Sequence, residues 1–549
     1  MNRRSFLSTA VAAGAAAATV PFTAHVWGSP PAAGARSLFF NVRDHRATGD
    51  GVTLDTAALQ AAIEACAAAG GGTVVFPAGR YLSGTLRLRS RVALWLQSGA
   101  VLLGSTRLQD YPPIVPAFRS YTDVNYVERS LLYAERVEEV ALFGQGCIDG
   151  QGGAAAFQLG GGREHYKERP YLIRMIEGRR VTVRDLTLLN SPMWVQHYLA
   201  CDDLLIDGLT VHSLVNVNND GLDLDCCQRV RVANCSITSG DDAIVLKTTA
   251  PRPCRSITIT NCHLSSRCNA LKCGTESRGD FQDITVSNCV IEDTRLSAIA
   301  LEMVDGGVLD GISISNIRVR RTRGAIFLRL GNRARPHLAG GPGGSRGTFT
   351  AAPGTAIPGV GRFRNVHISQ VTGEDCDVTG CALTGLPGHP LEEITLSQIQ
   401  LGFEGGGTSE DARRDPPERE SDYPEYKMFG RLPAYGMFCR HVRSLRLHDV
   451  RVGTGQPDAR PGLVCDDVQN LDVRGWQAAS TAGAGEEMLL RNVSDAWVHG
   501  GRAAPTARTH VRVSGARTGA IKLSDNWTRA PGRLVAIDPK VPAGRVATD

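Results

Sequence analysis

A short pattern recurs along the chain about every 27 residues, and this repeat limits the possible folds more than any other feature. Val232-Ala233-Asn234-Cys235 returns as Ile259-Thr260-Asn261-Cys262, then as Val286-Ser287-Asn288-Cys289 and Ile314-Ser315-Asn316-Ile317. The asparagines are 27, 27 and 28 residues apart. Self-similarity at a fixed period of this length is the sequence signature of a solenoid.

The residues within each repeat predict strands. Runs such as Ile257-Thr258-Ile259-Thr260 place β-branched residues at every second position, which is the strand period. Stacked coils would pair each strand with its copy one coil further on, about 4.8 Å away. The sequence therefore predicts an all-β parallel β-helix. Its recurring asparagines would form a corner ladder, and Cys235, Cys262 and Cys289 would be buried, stacked thiols rather than disulfides.

The N-terminal segments differ from the repeat. Arg3-Arg4-Ser5, an Ala/Val-rich stretch and Ala33-Gly34-Ala35 indicate a twin-arginine signal peptide over residues 1–35. Residues 36–115 are expected to hold the first coils and an N-terminal helical cap. That helix would run from Asp55, its N-cap, to Ala69, and end at the glycines that follow.

The remaining boundaries follow from where the period holds or breaks. We expect residues 116–515 to form the main β-helix and residues 516–549 a C-terminal tail. Two stretches rich in Gly, Pro or charge, 335–362 and 404–436, are predicted to be long loops that leave the solenoid. In the second loop, Tyr423, Tyr426 and Tyr435 could stack on sugar rings or fix the loop in place.

Composition excludes several classes of function. The net charge of +5 over 549 residues gives no case for nucleic-acid binding. Beyond the N-terminus no stretch reaches 18 apolar residues, so a soluble, exported mature protein is expected. The cysteines lack zinc-site spacing, which predicts neither a structural metal nor another cofactor.

The densest acidic cluster lies within the repeats. Asn218-Asn219-Asp220-Gly221-Leu222-Asp223 is followed by Gly240-Asp241-Asp242, and Asp220 and Asp241 are 21 residues apart. This separation places the carboxyl groups on neighbouring coils, where their repulsion should raise at least one pKa. Glycoside hydrolysis requires two such carboxyl groups. A calcium site or solvated turn aspartates are the alternatives.

These motifs, in this order, resemble glycoside hydrolase family 28, the polygalacturonases. Three further segments match as well: Phe40-Asn41-Val42-Arg43-Asp44, Gly71-Gly72-Thr73-Val74-Val75-Phe76-Pro77 and Asn190-Ser191-Pro192-Met193-Trp194. The resemblance covers about residues 38–330. It implies a right-handed parallel β-helix and inverting hydrolysis without a metal. By position, Asp241 would be the general acid, Asp220 and Asp242 would activate the water, and Asn218 would position these groups.

The sequence departs from the family at two motifs. Asn269 stands where the family carries the histidine of Gly-His-Gly, and Ala300-Leu301-Glu302 stands where it carries Arg-x-Lys. An alanine and an acid cannot grip a uronate as arginine and lysine do. These departures argue against plain polygalacturonan as the substrate.

Other polar residues are candidates for substrate binding. Lys247, Lys272, Glu302 and Arg329 lie on strand-like runs and could form one column along the groove, or a ladder of paired surface charges. Asp223, Glu276 and Asn269 are close to them in the repeat. His197 follows Trp194 at a family-like position, although a lone histidine of this kind is more often structural.

The leading hypothesis is an exported, monomeric glycosidase, periplasmic or extracellular, acting on pectin-like or related plant polysaccharide or its oligosaccharides. A β-helix polysaccharide lyase is the second reading, because Lys272 and Arg329 could supply a base. A non-catalytic glycan-binding solenoid is the third, if the altered motifs abolish turnover.

Overall fold

The computed structural model describes residues 38–118, 120, 128–159, 163–333, 359–479, 485–528 and 532–549. The twin-arginine segment and residues 335–358 of the first predicted loop lie outside the described residues. The described chain forms 37 strands whose ladder pairings along the stack are parallel. Successive coils stack in register and build a parallel β-helix with three sheets, as the repeat predicted.

Each sheet consists of one strand from every coil. The first sheet contains the short strands β1 (Phe39–Asn41), β3 (Gly72–Phe76), β6 (Val92–Leu96), β9 (Ala141–Gly144), β12 (Arg179–Arg184), β15 (Asp202–Asp207), β18 (Gln228–Ala233), β21 (Cys254–Thr260), β33 (Ser494–His499), β35 (Ile521–Ser524) and β37 (Val546–Thr548). The second contains β2 (Asp50–Leu54), β4 (Gly79–Ser83), β7 (Ala100–Gly104), β10 (Cys147–Asp149), β13 (Thr187–Leu189), β16 (Thr210–Ser213), β19 (Ser236–Ser239), β22 (His263–Ser266) and β31 (Gln477–Ala479). The third contains β5 (Leu86–Arg87), β8 (Ser130–Glu135), β11 (Tyr171–Ile176), β14 (Gln196–Leu199), β17 (Leu222–Asp225), β20 (Ile244–Thr248), β23 (Leu271–Ser277), β27 (Cys381–Thr384), β32 (Glu486–Arg491), β34 (Thr509–Ser514) and β36 (Arg533–Ile537).

Six longer strands bend at the corners and contribute to two or three sheets. They are β24 (Phe281–Met303), β25 (Val308–Leu330), β26 (Arg362–Cys376), β28 (Leu391–Phe403), β29 (Met437–Thr454) and β30 (Leu463–Arg474). Their inward positions are apolar and continue one hydrophobic core along the stack. Such a core forms because each coil can bury its apolar face only against its neighbours.

The predicted helix is present at the N-terminal end of the stack. Helix α1 (Thr56–Ala68) buries Leu59, Ala62, Ile63 and Cys66 against the first coils. Asp55 occupies the N-cap position, but its carboxylate accepts hydrogen bonds from Thr48 and Gly49 instead of capping the helix. The other helical segments are α2 (Ser409–Ala412) and the 3-10 turns Val42–His45, Leu108–Asp110, Ala155–Phe157 and Arg163–Glu168.

The recurring asparagines lie at the corner between the first and second sheets. Asn234, Asn261, Asn288 and Asn316 adopt the left-handed conformation that asparagine tolerates better than most residues. Two steps of the predicted ladder are present, with Nδ2 of Asn261 donating to Asn234 and Nδ2 of Asn316 donating to Asn288. Between them, Nδ2 of Asn288 donates to the hydroxyl of Thr260 instead of to Asn261. Cys235, Cys262 and Cys289 follow these asparagines and are buried in the core, as predicted.

Two predicted boundaries need comment. The segment 516–549 is not a tail, because β35 and β37 pair with the preceding coils and extend the first sheet to the C-terminal end. Residues 404–436 do leave the solenoid between β28 and β29, as the loss of strand alternation predicted. Among the described residues, no helix is long and apolar enough to cross a lipid bilayer.

Candidate active site

The acidic cluster lies at the corner between the second and third sheets. Strands β17 and β20 pair with Leu222 opposite Ile244, so Asp220 and Asp242, each two residues earlier, are neighbours on adjacent coils. The amide of Gly221 donates to the carbonyl of Asp242, which joins the two turns directly. The prediction that these aspartates converge on neighbouring coils is therefore confirmed.

One buried lysine holds three of the surrounding carboxylates. The Nζ atom of Lys247 lies 3.6 Å from Asp220, 3.5 Å from Asp223 and 3.6 Å from Glu276. It also lies 4.9 Å from the ring centre of Trp194. Burial raises the pKa of Asp220, and the neighbouring Asp223 and Asp241 raise it further against the effect of Lys247. One ammonium cannot neutralise three buried carboxylates, so this group favours at least one protonated acid.

A second buried lysine holds Asp242 in its ionised form. Nζ of Lys272 lies 3.3 Å from Asp242 and 3.6 Å from Glu302. The backbone and side-chain amides of Asn269 donate to Asp242 at 3.1 and 2.9 Å. Burial by itself would raise the pKa of Asp242, but Lys272, Lys247 and Asn269 together lower it below its usual value. Burial raises the pKa of Glu302 to about 8.

Asp241 has the opposite electrostatic environment. Burial and the adjacent Asp242 carboxylate raise its pKa. Its backbone carbonyl accepts hydrogen bonds from the hydroxyls of Ser239 and Ser266, which fix the turn. Asp241 is half-buried whereas Asp242 is buried, so the carboxyl with the raised pKa is the more accessible of the two. Adjacent acids with opposed pKa shifts are the arrangement that general acid and base catalysis needs.

The loop 404–436 brings two further side chains to these acids. The ring of Tyr423 lies with its centre 5.7 Å from Nζ of Lys272. Burial and the proximity of Asp242 and Asp241, opposed by Lys272, raise the pKa of Glu425 to about 7. Tyr426 and Tyr435 are buried and fix the loop in place. Glu425 was missed from the sequence, because no period relates this loop to the coils.

The four charges predicted to form one column lie in two rows. Lys272 pairs in register with Val245 and Ala300, whereas Glu302 pairs with Arg329 in the adjacent row. The sequence spacing is 25 residues from Lys247 to Lys272 and 30 from Lys272 to Glu302. These unequal spacings already indicated two rows, because residues in one row would be about 27 apart. Lys272 still meets Glu302, because the two side chains reach across the rows.

Four predicted substrate-binding residues make their contacts within the protein. Arg329 is buried, and its guanidinium donates to Thr384 and to the carbonyls of Glu418 and Arg419, so it anchors the loop. His197 is fully buried with Nε2 3.3 Å from Asp225, and burial lowers its pKa to about 4. Asn269 and Asn218 act as positioning residues, Asn269 through Asp242 and Asn218 by accepting a hydrogen bond from buried Arg169. Arg169 was missed from the sequence.

One group of side chains could approach a metal ion. Ligand atoms of Asp241, Asp242 and Cys268 lie within 4.8 Å of one another, and no other such group of three occurs in the part of the chain that the structure describes. Three ligands are one fewer than structural zinc sites use, and Asp242 is already held by Lys272 and Asn269. The expectation of a metal-free site stays a prediction.

One family of known proteins matches the part of the chain that carries the acids. Residues 66–327, which include both aspartate motifs, match the family described as Glycosyl hydrolases family 28. We call this matching stretch, residues 66–327, the family 28 segment. The family 28 segment ends before the loop that carries Tyr423 and Glu425.

Similar proteins include a probable polygalacturonase of Vitis vinifera, 36% identical over 215 residues, covering 37% of this chain and 43% of the relative. An exo-poly-alpha-D-galacturonosidase of Dickeya chrysanthemi is 26% identical over 249 residues, covering 37% of this chain and 41% of the relative. The chain thus spans less than half the length of these relatives.

Solved structures share the fold. An exopolygalacturonase from Thermotoga maritima has a TM-score of 0.56 at 19% identity, with 75% of this chain and 92% of that chain covered. A polygalacturonase from Erwinia carotovora has a TM-score of 0.50 at 20% identity, with 64% and 90% covered. The fold is therefore a right-handed parallel β-helix with an N-terminal helical cap, as the family resemblance implied.

Proposed function

We propose that the chain is a glycoside hydrolase that cleaves a pectin-like polysaccharide by inverting acid–base hydrolysis at the corner of Asp220, Asp241 and Asp242. The observation that carries this proposal is the pair of adjacent acids with opposed pKa shifts, Asp241 raised and Asp242 lowered. The match of residues 66–327 to family 28 supports the reaction class, and the resemblance to that family implies the inverting course.

Each acid has a distinct part in the reaction. Asp241, which holds its proton and is half-buried, donates that proton to the departing glycosidic oxygen. Asp242, held ionised by Lys272 and Asn269, accepts a proton from the water that attacks the anomeric carbon. Asp220 lies one coil away and orients that water. Because the pKa of Asp220 is raised and that of Asp242 is lowered, Asp220 is the less readily ionised of the two.

The site favours hydroxyl donors over a further anion. Buried oxygens Oδ1 of Asp220, Oε1 of Glu302 and Oε2 of Glu425 have no hydrogen-bond partner among the described residues. Sugar hydroxyls can donate to such oxygens, whereas a uronate carboxylate at the same place would add charge to an acidic cluster. We therefore propose that a sugar without a carboxylate occupies this position, within a polysaccharide of the class named by the relatives.

The geometry argues against the lyase alternative. A lyase would need a base near neutral pH. Burial opposes the charge of Lys272, but Asp242 and Glu302 outweigh that effect and raise its pKa well above the usual value. Arg329 is engaged by the loop carbonyls and by Thr384. Neither side chain is placed to remove a proton from a sugar.

We also propose that the protein is exported. The residues Arg3-Arg4-Ser5 and the Ala/Val-rich stretch after them support passage by the twin-arginine route to the periplasm or exterior. A fusion of residues 1–35 to a reporter would show export if the route is used, and replacement of Arg3 and Arg4 by lysine should abolish it.

The test of the hydrolysis is Asp241→Asn, which keeps the shape of the side chain and removes the transferable proton. A pectic glycan panel assayed for new reducing ends first identifies a substrate for the wild type. On that substrate, Asp241→Asn should lower kcat by at least about a hundredfold, because one acid–base group contributes about 10²–10⁴-fold. Asp185→Asn, at an exposed corner of an earlier coil, is the matched control and should retain activity. Near-normal turnover by Asp241→Asn would sink the mechanism.

A further inference from the structure

Three arginines occupy the corner beside Asp241 on consecutive coils. Arg267, Arg295 and Arg323 are spaced 28 and 28 residues apart and follow the second-sheet segment of their coils. On the preceding coil the residue equivalent to Arg267 is Gly240, because Ser239 pairs in register with Ser266. Gly240 directly precedes Asp241 in the sequence. All three arginine side chains are exposed. The arginines therefore continue the line of the acidic site along the stack.

These arginines differ from most exposed arginines of the molecule in their partners. Within the described ranges, none of Arg267, Arg295 and Arg323 forms an ion pair, whereas nearby Arg321 is paired with Glu292 and Asp293. Arg267 donates to the carbonyl of Leu214, and Arg295 makes no side-chain hydrogen bond to another described residue. Three guanidinium groups without acidic partners leave a strong local positive charge beside an acidic site.

The same arginines line a surface cavity of about 390 Å³. Its wall also includes Ser239 and Ser266, whose hydroxyls donate to the backbone carbonyl of Asp241. The acidic residue of the wall, Asp293, is neutralised by its ion pair with Arg321. The cavity is therefore continuous with the turn that holds the candidate general acid. A polysaccharide bound at the acidic site could therefore extend into this cavity.

We infer that this arginine-lined cavity binds the carboxylates of uronate units that flank the cleaved sugar in an acidic polysaccharide. Guanidinium groups bind carboxylates through paired N–H donors, and exposed ones do so without giving up a buried partner. The acidic centre disfavours a uronate, while the cavity beside it favours one. The two surfaces together select a chain in which uronates neighbour a sugar without a carboxylate. The position of the cleaved bond in this inference rests on the proposed function.

The test measures binding separately from cleavage. Isothermal titration calorimetry of Asp241→Asn with a short oligogalacturonate is compared with the same protein carrying Arg267→Gln, Arg295→Gln and Arg323→Gln. Exposed charge pairs contribute about 0.2–1 kcal/mol each, so losing three should weaken binding by about tenfold. Affinity should fall as salt rises, and the carboxyl-reduced oligosaccharide should bind more weakly than the oligogalacturonate.

Two further variants keep the test decisive. Arg231→Gln, Arg255→Gln and Arg446→Gln together remove the same charge from exposed arginines of the first sheet, also without ion pairs in the described part of the chain, and should leave binding unchanged. Arg295→Gln alone disturbs no hydrogen bond to another described residue. It should weaken binding even if the triple variant is unstable.

The outcomes separate this inference from the proposed hydrolysis. Equal oligogalacturonate binding by the triple variant and its parent, or equal weakening by the control triple, would overturn the inference. Arginine-dependent binding by a protein that cleaves no glycan would support the cavity and reject the hydrolysis. Cleavage of a pectic glycan with arginine-independent binding would support the hydrolysis and reject the cavity.

Discussion

Adjacent residues of one turn can carry opposite protonation states because their neighbours differ. Asp242 points to Lys272 and to the two amides of Asn269, all of which stabilise the carboxylate. Asp241 has the Asp242 charge beside it and lacks these donors, so its protonated form is favoured. Asn269 stands where the family has a histidine, and its backbone and side-chain amides hold the Asp242 carboxylate in place.

Lys272→Met should shift the pH dependence of the reaction in a defined direction. The proposed mechanism requires ionised Asp242 and protonated Asp241, so it predicts that kcat falls at low pH with Asp242 and at high pH with Asp241. Lys272 lowers the pKa of both acids, and its removal therefore raises both. The acidic limb of the kcat profile should move to higher pH, and so should the basic limb.

The matched control for this charge is Lys522→Met. Lys522 is exposed in β35 and pairs with Asp549, and its removal should leave the profile unchanged. An acidic limb that stays in place in Lys272→Met would show that Asp242 is not the titrating base.

At the residue scale the sequence predicted the acids but not all of their partners. The Asp220–Asp241 separation of just under one repeat placed both on one corner, and the structure agrees. The contact of Lys272 with Glu302 could not be read from spacing, because the register shifts between Thr294 and Ser297, just before the strand segment that carries Glu302.

The loop 404–436 is the element that completes the site from outside the family 28 segment. Arg329 and Arg440 hold its carbonyls, and Arg460 is buried with donors to Leu432 and Ala434. His441 bridges Glu418 of the loop to Asp467 of the next coil. With these anchors, the loop holds Tyr423 beside Lys272 and Glu425 near Asp241 and Asp242.

Tyr423→Ala should raise KM for the glycan more than it lowers kcat. Tyr423 presents an aromatic face beside the acids but is not one of the proton-transferring groups. Aromatic contacts of this size contribute about 0.5–1.5 kcal/mol, so KM should rise about three- to tenfold. Steady-state kinetics on the substrate found by the panel measures both constants.

Asp422→Asn is the matched loop control for that variant. Asp422 is the preceding residue, is exposed and pairs with Arg419 within the loop. Its kinetic constants should equal those of the wild type. A large fall in kcat with unchanged KM in Tyr423→Ala would contradict a substrate-contacting role for the loop.

At this scale the sequence predicted that the loop exists but not where its side chains lie. Loss of strand alternation marks its ends at Phe403 and Met437. Contacts from an irregular loop depend on its anchors, and these come from four different coils. The same limit explains why Tyr423, Tyr426 and Tyr435 looked equivalent in the sequence, although it is Tyr423 that lies beside Lys272 of the site.

The whole molecule is a stack whose stability comes from contacts between neighbouring coils. The repeat of about 27 residues predicted this architecture, since every coil buries the same inward positions. The prediction of a tail over residues 516–549 was wrong for a physical reason. Its strands Ile521–Ser524 and Val546–Thr548 are short and lack the Asn-Cys pattern, yet they still find a parallel partner on the coil below.

The cysteines give a test of the stack as a whole. Thirteen of the fifteen are buried, and only Cys147 and Cys268 are half-buried. Burial raises the pKa of both, which slows their reaction as thiolates. Folded protein should therefore react with a thiol reagent at two positions at most. The same protein in denaturant without reductant should expose most of its thiols in one cooperative step, because they line a single core. If most cysteines remained unreactive in denaturant until a reductant was added, disulfides would be present and the stacked thiols of Cys235, Cys262 and Cys289 would be wrong.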